Sequence, residues 1–294
     1  MEKLEALHQN NKMNARLRKN SIWKSIFFLS TLFGLVVLAI LIIRVLIQGL
    51  EWIDLEFITS RLSTQADKAG IMGAILGTLW VMVVVIPVTL IIGVGSAIYL
   101  ELYSKKGKIQ SFIETNIANL AGVPSIVYGL LGLTAFVRLM DLGNVVLAGG
   151  LTLALLVLPI LIVSAQEALR AVPGHLSEAS YGMGATKWQT IRKIILPAAL
   201  PSILTGSILA LSRAIGETAP LTVLGIPALL IPFPQGLLDT FTALPMQIYY
   251  WTLDSSLVAE YANLAAATIV ILLLILFILN SIAIIIRNKY HQRN

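Results

Sequence analysis

Long uncharged stretches alternate with short polar ones along this chain of 294 residues. Ser25 to Ile43, Ala69 to Leu100, Thr115 to Val137, Leu142 to Gln166 and Tyr261 to Ile286 each lack a charged side chain. About 20 apolar residues in a helix cross a hydrocarbon core of ~30 Å, so each stretch predicts a membrane span, the second kinked at Pro87. The first run exceeds the ~7–15-residue core of a signal peptide and no small-x-small cleavage site follows, so it reads as a retained span. Ile194 to Ser212 is apolar as well; Arg213 and Glu217 then intrude, and Thr218 to Leu238 is uncharged again. Hydropathy alone would count that last piece as a seventh span. Its Pro220, Gly225, Pro227, Pro232, Pro234 and Gly236 would break a helix repeatedly, which assigns everything beyond Leu224 to an external loop. The expectation is an all-α membrane protein of six transmembrane helices with both termini on one side.

Charge placement supports six spans. Of the 21 Lys and Arg, most fall in segments this topology places together. They are Lys3, Lys12, Arg16, Arg18, Lys19 and Lys24 before the first span; Lys105, Lys106 and Lys108; Arg170, Lys187, Arg192 and Lys193; and Arg287, Lys289 and Arg293. The opposite segments are rich in Glu51, Asp54, Glu56, Asp67, Asp141, Asp239, Asp254 and Glu260. Basic residues accumulate on the cytoplasmic side, so both termini are expected there, in a bacterial cytoplasmic membrane; seven spans would put the basic C-terminus outside. The chain divides into a basic tail at 1–24, a first span with its external segment at 25–68, a core at 69–287 and a C-terminal tail at 288–294. A composition of 57% hydrophobic and 12% charged residues, with mean hydropathy +0.86, excludes a soluble enzyme, and the net charge of +6 then reports topology rather than nucleic-acid binding. The absence of cysteine excludes disulfides and thiol catalysis, and His8, His175 and His291 are too scattered for a metal site. No Ser/His/Asp set suggests hydrolysis. Gly182 to Lys187 lacks the Gly-Lys-Ser/Thr ending of a phosphate loop and follows no strand, so no ATP or other cofactor is expected on this chain.

Two charges within a span need a reason. Arg213 and Glu217 are four apart, on one face of a helix and within reach of each other. Two readings stand: a self-neutralising pair that fixes packing, or an anion path in which Arg213 offers a planar, permanent cation to a tetrahedral oxyanion while Glu217 holds it in place. Ser202, Gly206, Ala210, Ala214 and Thr218 put a small residue at every fourth position of the same helix, a seam for close packing. Gly73 and Gly77 read as ordinary bundle packing. Tyr249, Tyr250 and Trp251, in the external segment 226–253, fit either a docking face for a delivery protein or an interfacial anchor for the last span.

The loop at 167–197 is long for a chain whose other basic loop is short, and length without structural need suggests a docking surface. Pro173-Gly174 predicts a turn, His175 to Tyr181 a short helix, Gly182 to Gly184 a break, and Trp188 to Leu196 a helix entering the membrane. Within it stand Glu178-Ala179-Ser180, three residues, Gly184, nine residues, then Ile194-x-Leu196-Pro197. This resembles the EAA loop, E-A-A-x(3)-G-x(9)-I-x-L-P, of ABC-importer permeases of the type-I bundle, with Ser180 in place of the second alanine. The resemblance implies that Glu178 to Lys187, Ala185 included, forms the coupling helix held in a cleft of a cytoplasmic ATPase. The bland alternative is an amphipathic helix lying on lipid headgroups.

Three further strings resemble the phosphate-specific permeases of the PstA type: Gly122-Val123-Pro124-Ser125-Ile126-Val127-Tyr128-Gly129-Leu130, Ser212 to Leu221, and Ala243 to Tyr249. That resemblance implies an importer subunit for inorganic phosphate. Its partners would be a second homologous permease chain, an ATPase dimer carrying ATP and Mg²⁺, and an extracytoplasmic phosphate-binding protein, and its substrate path would pass Arg213, Glu217 and Thr218. Another oxyanion or polar solute as cargo, or an ATP-independent anion transporter, are the competing readings.

Overall fold

The computed structural model describes residues 2–63, 65–227 and 232–291. Residues 228–231 of the predicted external segment and 292–294 of the predicted C-terminal tail lie outside the described residues, as do the side chains of residues 2–12, 14, 15, 290 and 291. Helix α1, Glu2–Leu50, begins within the basic tail and runs past Ile43 through Arg44 and Gln48. It packs along the last helix, α10, Glu260–His291, and its apolar part is otherwise bare of protein. Gln48 Nε2 donates to Asn263 Oδ1 at 3.0 Å, and at Gly49 the two backbones come so close that a Cβ would overlap Ala266 and Ala267.

Helix α2, Met72–Tyr103, contains Pro87. Proline has no N–H to donate to the preceding turn, and just beyond it Leu90–Val94 winds as a π-segment; Tyr99–Tyr103 forms a second. The third predicted span is not one helix. It is α3, Lys108–Ala121, and α4, Ser125–Leu139, at 102° to each other. The break falls at Gly122–Pro124, because proline disfavours a helical conformation at Val123 and withholds its own donor. The bend lets α3 turn Gln110 and Glu114 toward the bundle and Ile109 and Phe112 away from it.

Helix α5, Val146–Arg170, is the centre: 67% of its apolar window is buried, between α2 and α7, Lys187–Gly216. Close approach comes from glycine: a Cβ at Gly150 would strike Val84, and one at Gly206 would strike Ser164. The small-residue seam of α7 is therefore real over Gly206, Ala210 and Ala214, which are buried, but Ser202 is exposed and Thr218 lies beyond the helix end. Between α5 and α7 stands α6, Gly174–Gly182.

The predicted external loop is more ordered than its prolines suggested. After the short helix α8, Ala219–Leu224, Gly225 turns the chain at φ +75°, a conformation glycine adopts without strain. The chain returns through an isolated bridge between Val145 and Thr240, where Val146 and Leu147 donate to Asp239 O and Leu237 O and so satisfy first-turn donors of α5. It then enters α9, Leu244–Asp254, with Pro245 in its first turn, where a missing N–H costs nothing. This helix is inserted into the bundle: Leu244 N donates to Thr78 Oγ1 at 2.9 Å, and a Cβ on Gly77 would overlap Thr242 O. Gly77 thus accommodates a crossing backbone, not merely a neighbouring helix. Trp251, 3% exposed, packs on Phe57 with ring centroids 6.1 Å apart, so it is neither a docking aromatic nor an interfacial anchor.

Candidate functional site

The loop at 167–197 is a helical hairpin rooted in its own apolar cluster. Ala97 from α2, Ala165, Ala168 and Leu169 from α5, and Ile191, Ile195, Ala199 and Ile203 from α7 pack together beneath it. Above that base, α6 and the start of α7 meet at a turn where Gly184 has φ +82° and where a Cβ would meet only open space. Thr186 begins α7 with a reciprocal cap: Gln189 N donates to its Oγ1, and Thr186 N donates to Gln189 Oε1 at 2.9 Å. Glu178, Ala179 and Lys187 are exposed, Ala185 is half-buried, and Ile194, Leu196 and Pro197 are half-buried where the hairpin meets the bundle. Ser180, the departure from the EAA pattern, has its own partner: its Oγ lies 2.9 Å from Thr190 Oγ1 and ties the two arms together. The Lys187 ammonium sits 4.7 Å from the centroid of the Tyr103 ring, at the end of α2. Met183 at the tip is 88% exposed and Trp188 57%, large apolar side chains that motif spacing does not single out.

A second set of side chains went unread in the sequence. Arg170, the last residue of α5, donates through Nε to Glu101 Oε2 at 2.7 Å and through Nη2 to Glu114 Oε1 at 3.3 Å. Gln110 and Gln166 also donate to Glu114, at 3.0 and 3.3 Å. The end of α2, the middle of α3 and the end of α5 are thereby tied at one point, just before α6. The available signal was Glu114 itself, a carboxylate at the edge of an apolar run.

Arg213 and Glu217 do not share a helix. Arg213 is in the last turn of α7, where the helix dipole favours a cation, and Glu217 is the first residue past the end, with φ −80° and ψ 124°. They nevertheless pair, Nε to Oε1 at 2.9 Å, with side chains 43% and 17% exposed. The bond uses Nε alone, and both Nη groups make no hydrogen bond to the described residues. Four N–H donors thus remain for another acceptor. Thr218 accepts through its carbonyl from Thr222 Oγ1 at 3.0 Å. Tyr128 lies within Coulombic reach of Arg213, its hydroxyl donating to Leu120 O at 2.8 Å across the α3–α4 bend. Two of the three strings marked by resemblance meet in space, and the third touches the residue just after the second. A Cβ on Gly129 would collide with Pro220, and Thr222 Oγ1 lies 3.4 Å from Met246 Sδ.

The family described as binding-protein-dependent transport system inner membrane component matches residues 89–292. Among curated relatives, the "Phosphate transport system permease protein PstA" of Yersinia pestis is 32% identical over 282 residues, covering 94% of this chain and 92% of that one. The "Probable ABC transporter permease protein YqgI" of Bacillus subtilis is 35% identical over 177 residues, and the chain spans 60% of its length. Among solved structures, the MetNI methionine ABC transporter in an inward-facing conformation aligns with TM-score 0.59 at 18% identity, covering 75% of this chain and 95% of that one.

Proposed function

Since the chain belongs to the family of binding-protein-dependent transport system inner membrane components and has the type-I ABC importer permease fold, we propose that it carries inorganic phosphate inward across the cytoplasmic membrane. The observation that carries this reading is the Arg213–Glu217 pair at the break between α7 and α8. A guanidinium engaged through Nε alone keeps its planar pair of Nη groups for a tetrahedral anion. A carboxylate at its side lowers the net charge of the site, which favours a transient stop over a tight trap. Named relatives that transport phosphate support the cargo.

In this reading, a second homologous permease chain completes the path, and a dimeric ATPase binds ATP and Mg²⁺. An extracytoplasmic phosphate-binding protein delivers the anion. Closure of the ATPase dimer pushes the hairpin at Glu178 to Lys187. The thrust reaches α5 and α7 through the apolar cluster at its base, and alternating access follows from rocking of the bundle.

The test is ATP-dependent uptake of radiolabelled phosphate into proteoliposomes holding this chain with the partners encoded beside it. Arg213→Gln is expected to lower uptake about tenfold or more, the scale of one charged hydrogen bond, with assembly and ATPase association intact. Normal uptake by that variant makes the pair structural. Uptake by this chain alone under an ion gradient overturns the ABC mechanism.

A further inference from the structure

We propose that a groove between α2, α7 and α10 is a binding site for an anionic membrane phospholipid, its acyl chain among the apolar side chains and its phosphate on Arg287. The groove has a volume of about 270 Å³ and is bounded by Met82, Ile86 and Leu90 of α2, Leu204 and Ile208 of α7 and Ile286 of α10, among others. Both hydroxyls in its wall are already occupied. Ser207 Oγ donates to Ile203 O, and Ser212 Oγ donates to Asn280 Oδ1, each at 2.8 Å. The Asn280 amide nitrogen is the one side-chain donor in this wall without a hydrogen bond among the described residues, and a slot otherwise lined by aliphatic side chains and occupied hydroxyls suits a hydrocarbon chain better than a polar solute.

The headgroup end is set by charge. Leu204 and Ile286 line one end of the groove, and the residues that follow them, Thr205 and Arg287, are joined there by Arg287 Nη1 donating to Thr205 Oγ1 at 3.4 Å. Arg287 otherwise bonds only its neighbour Asn288, at 3.3 and 3.2 Å. Arg170 and Arg213 each hold a carboxylate; Arg287 has none within salt-bridge distance among the described residues. Its contacts are long and neutral, so a cation at the end of a membrane helix is left for an anion from outside the chain. A guanidinium beside an apolar slot between spans matches a lipid phosphate attached to an acyl chain.

The purified transporter complex in detergent, supplied with equal phosphatidylglycerol and phosphatidylethanolamine, tests this by native mass spectrometry. The wild type is expected to retain phosphatidylglycerol in preference after excess lipid is stripped. Arg287→Gln is expected to lower that retention about fivefold, the scale of one basic residue at a membrane surface, and Arg287→Lys to keep most of it. Ala283→Phe and Ile208→Trp, two independent ways to fill the groove, are expected to lose both lipids. Unchanged phosphatidylglycerol retention in Arg287→Gln overturns the proposal. So does displacement of the lipid by inorganic phosphate, which makes Arg287 a free-anion site. Disulfide crosslinking of Ala283→Cys to a cysteine on the second permease chain overturns it too, since the groove is then a protein interface.

Discussion

Arg213 shows how far residue type and spacing reach. The four-residue interval foretold that the guanidinium and Glu217 would meet, and they do. It did not foretell that α7 ends between them, because a helix-ending signal lies downstream, in Pro220, which has no N–H to offer the Gly216 carbonyl. The consequence is testable, since a pair bridging a helix end is less constrained than one along a helix face. Glu217→Gln keeps an acceptor for Nε while removing the countercharge, and is expected to hold phosphate longer and release it more slowly. Multiple-turnover uptake followed from the first cycle should then show a normal burst and a slowed steady rate. Ser180 is a sharper case, since resemblance marked it only as a tolerated exchange for alanine. Its hydroxyl bonds Thr190 Oγ1, and Ser180→Ala removes about 1 kcal/mol of hairpin closure. Amide exchange within α6 should accelerate about fivefold while the spans stay protected. Gly184 was legible as a break, and φ +82° is its reason. Gly184→Val pays a backbone cost of about 1–2 kcal/mol with no steric clash, so loss of ATPase co-purification in that variant and its rescue by Gly184→Asn trace the effect to the turn.

The elements most legible in sequence are those lipid or the core selects by hydropathy alone. α1, α2, α5, α7 and α10 each contain a stretch apolar enough to cross a membrane. Where hydropathy misleads is where a chain is apolar but not spanning. The α3–α4 pair reads as one run because a window average passes over Gly122 and Pro124, and α9 reads as loop because prolines at helix starts look the same as prolines that break helices. Neither error concerns composition; both concern long-range contacts, here Gly129 on Pro220 and Gly77 under Thr242, which local pattern does not encode. The tie among α2, α3 and α5 is another such contact. Arg170→Ala leaves Glu101 and Glu114 facing each other without a cation just ahead of the hairpin. With Arg170 half exposed, the stability loss should be about 1 kcal/mol or less. The larger effect is expected in coupling, with basal ATP hydrolysis retained and phosphate moved per ATP falling several-fold, measured on the same proteoliposomes. Equal loss of both activities would mean the tie merely holds the fold.

At the scale of the whole molecule, the two ends of the bundle carry opposite chemistry, and that asymmetry predicts which way it sits. One end holds Met183 and Lys187 of the hairpin with Lys105, Lys106 and Lys108 after α2; the other holds Leu238 and Asp239 against the start of α5, with Asp141 close in sequence. α5 joins them over 25 residues, about 37 Å at 1.5 Å per residue, enough to span the hydrocarbon core. Because cytoplasmic ends collect Lys and Arg, the hairpin is expected inside and Leu238 outside. The chain has no cysteine, so single cysteines report position without background. Leu238 is 68% exposed and Met183 is 88% exposed, which makes both accessible to reagent. In intact cells a membrane-impermeant maleimide should label Leu238→Cys and spare Met183→Cys. Permeabilisation should admit reagent to Met183→Cys, and assembly with the ATPase should protect it again, because a partner seated on the hairpin tip covers that side chain. Labelling of Met183→Cys in intact cells would invert the topology and leave the hairpin on the wrong side for any cytoplasmic ATPase. Labelling that is unchanged by the ATPase would keep the topology but remove the tip from the docking surface, confining contact to the Glu178 face of α6.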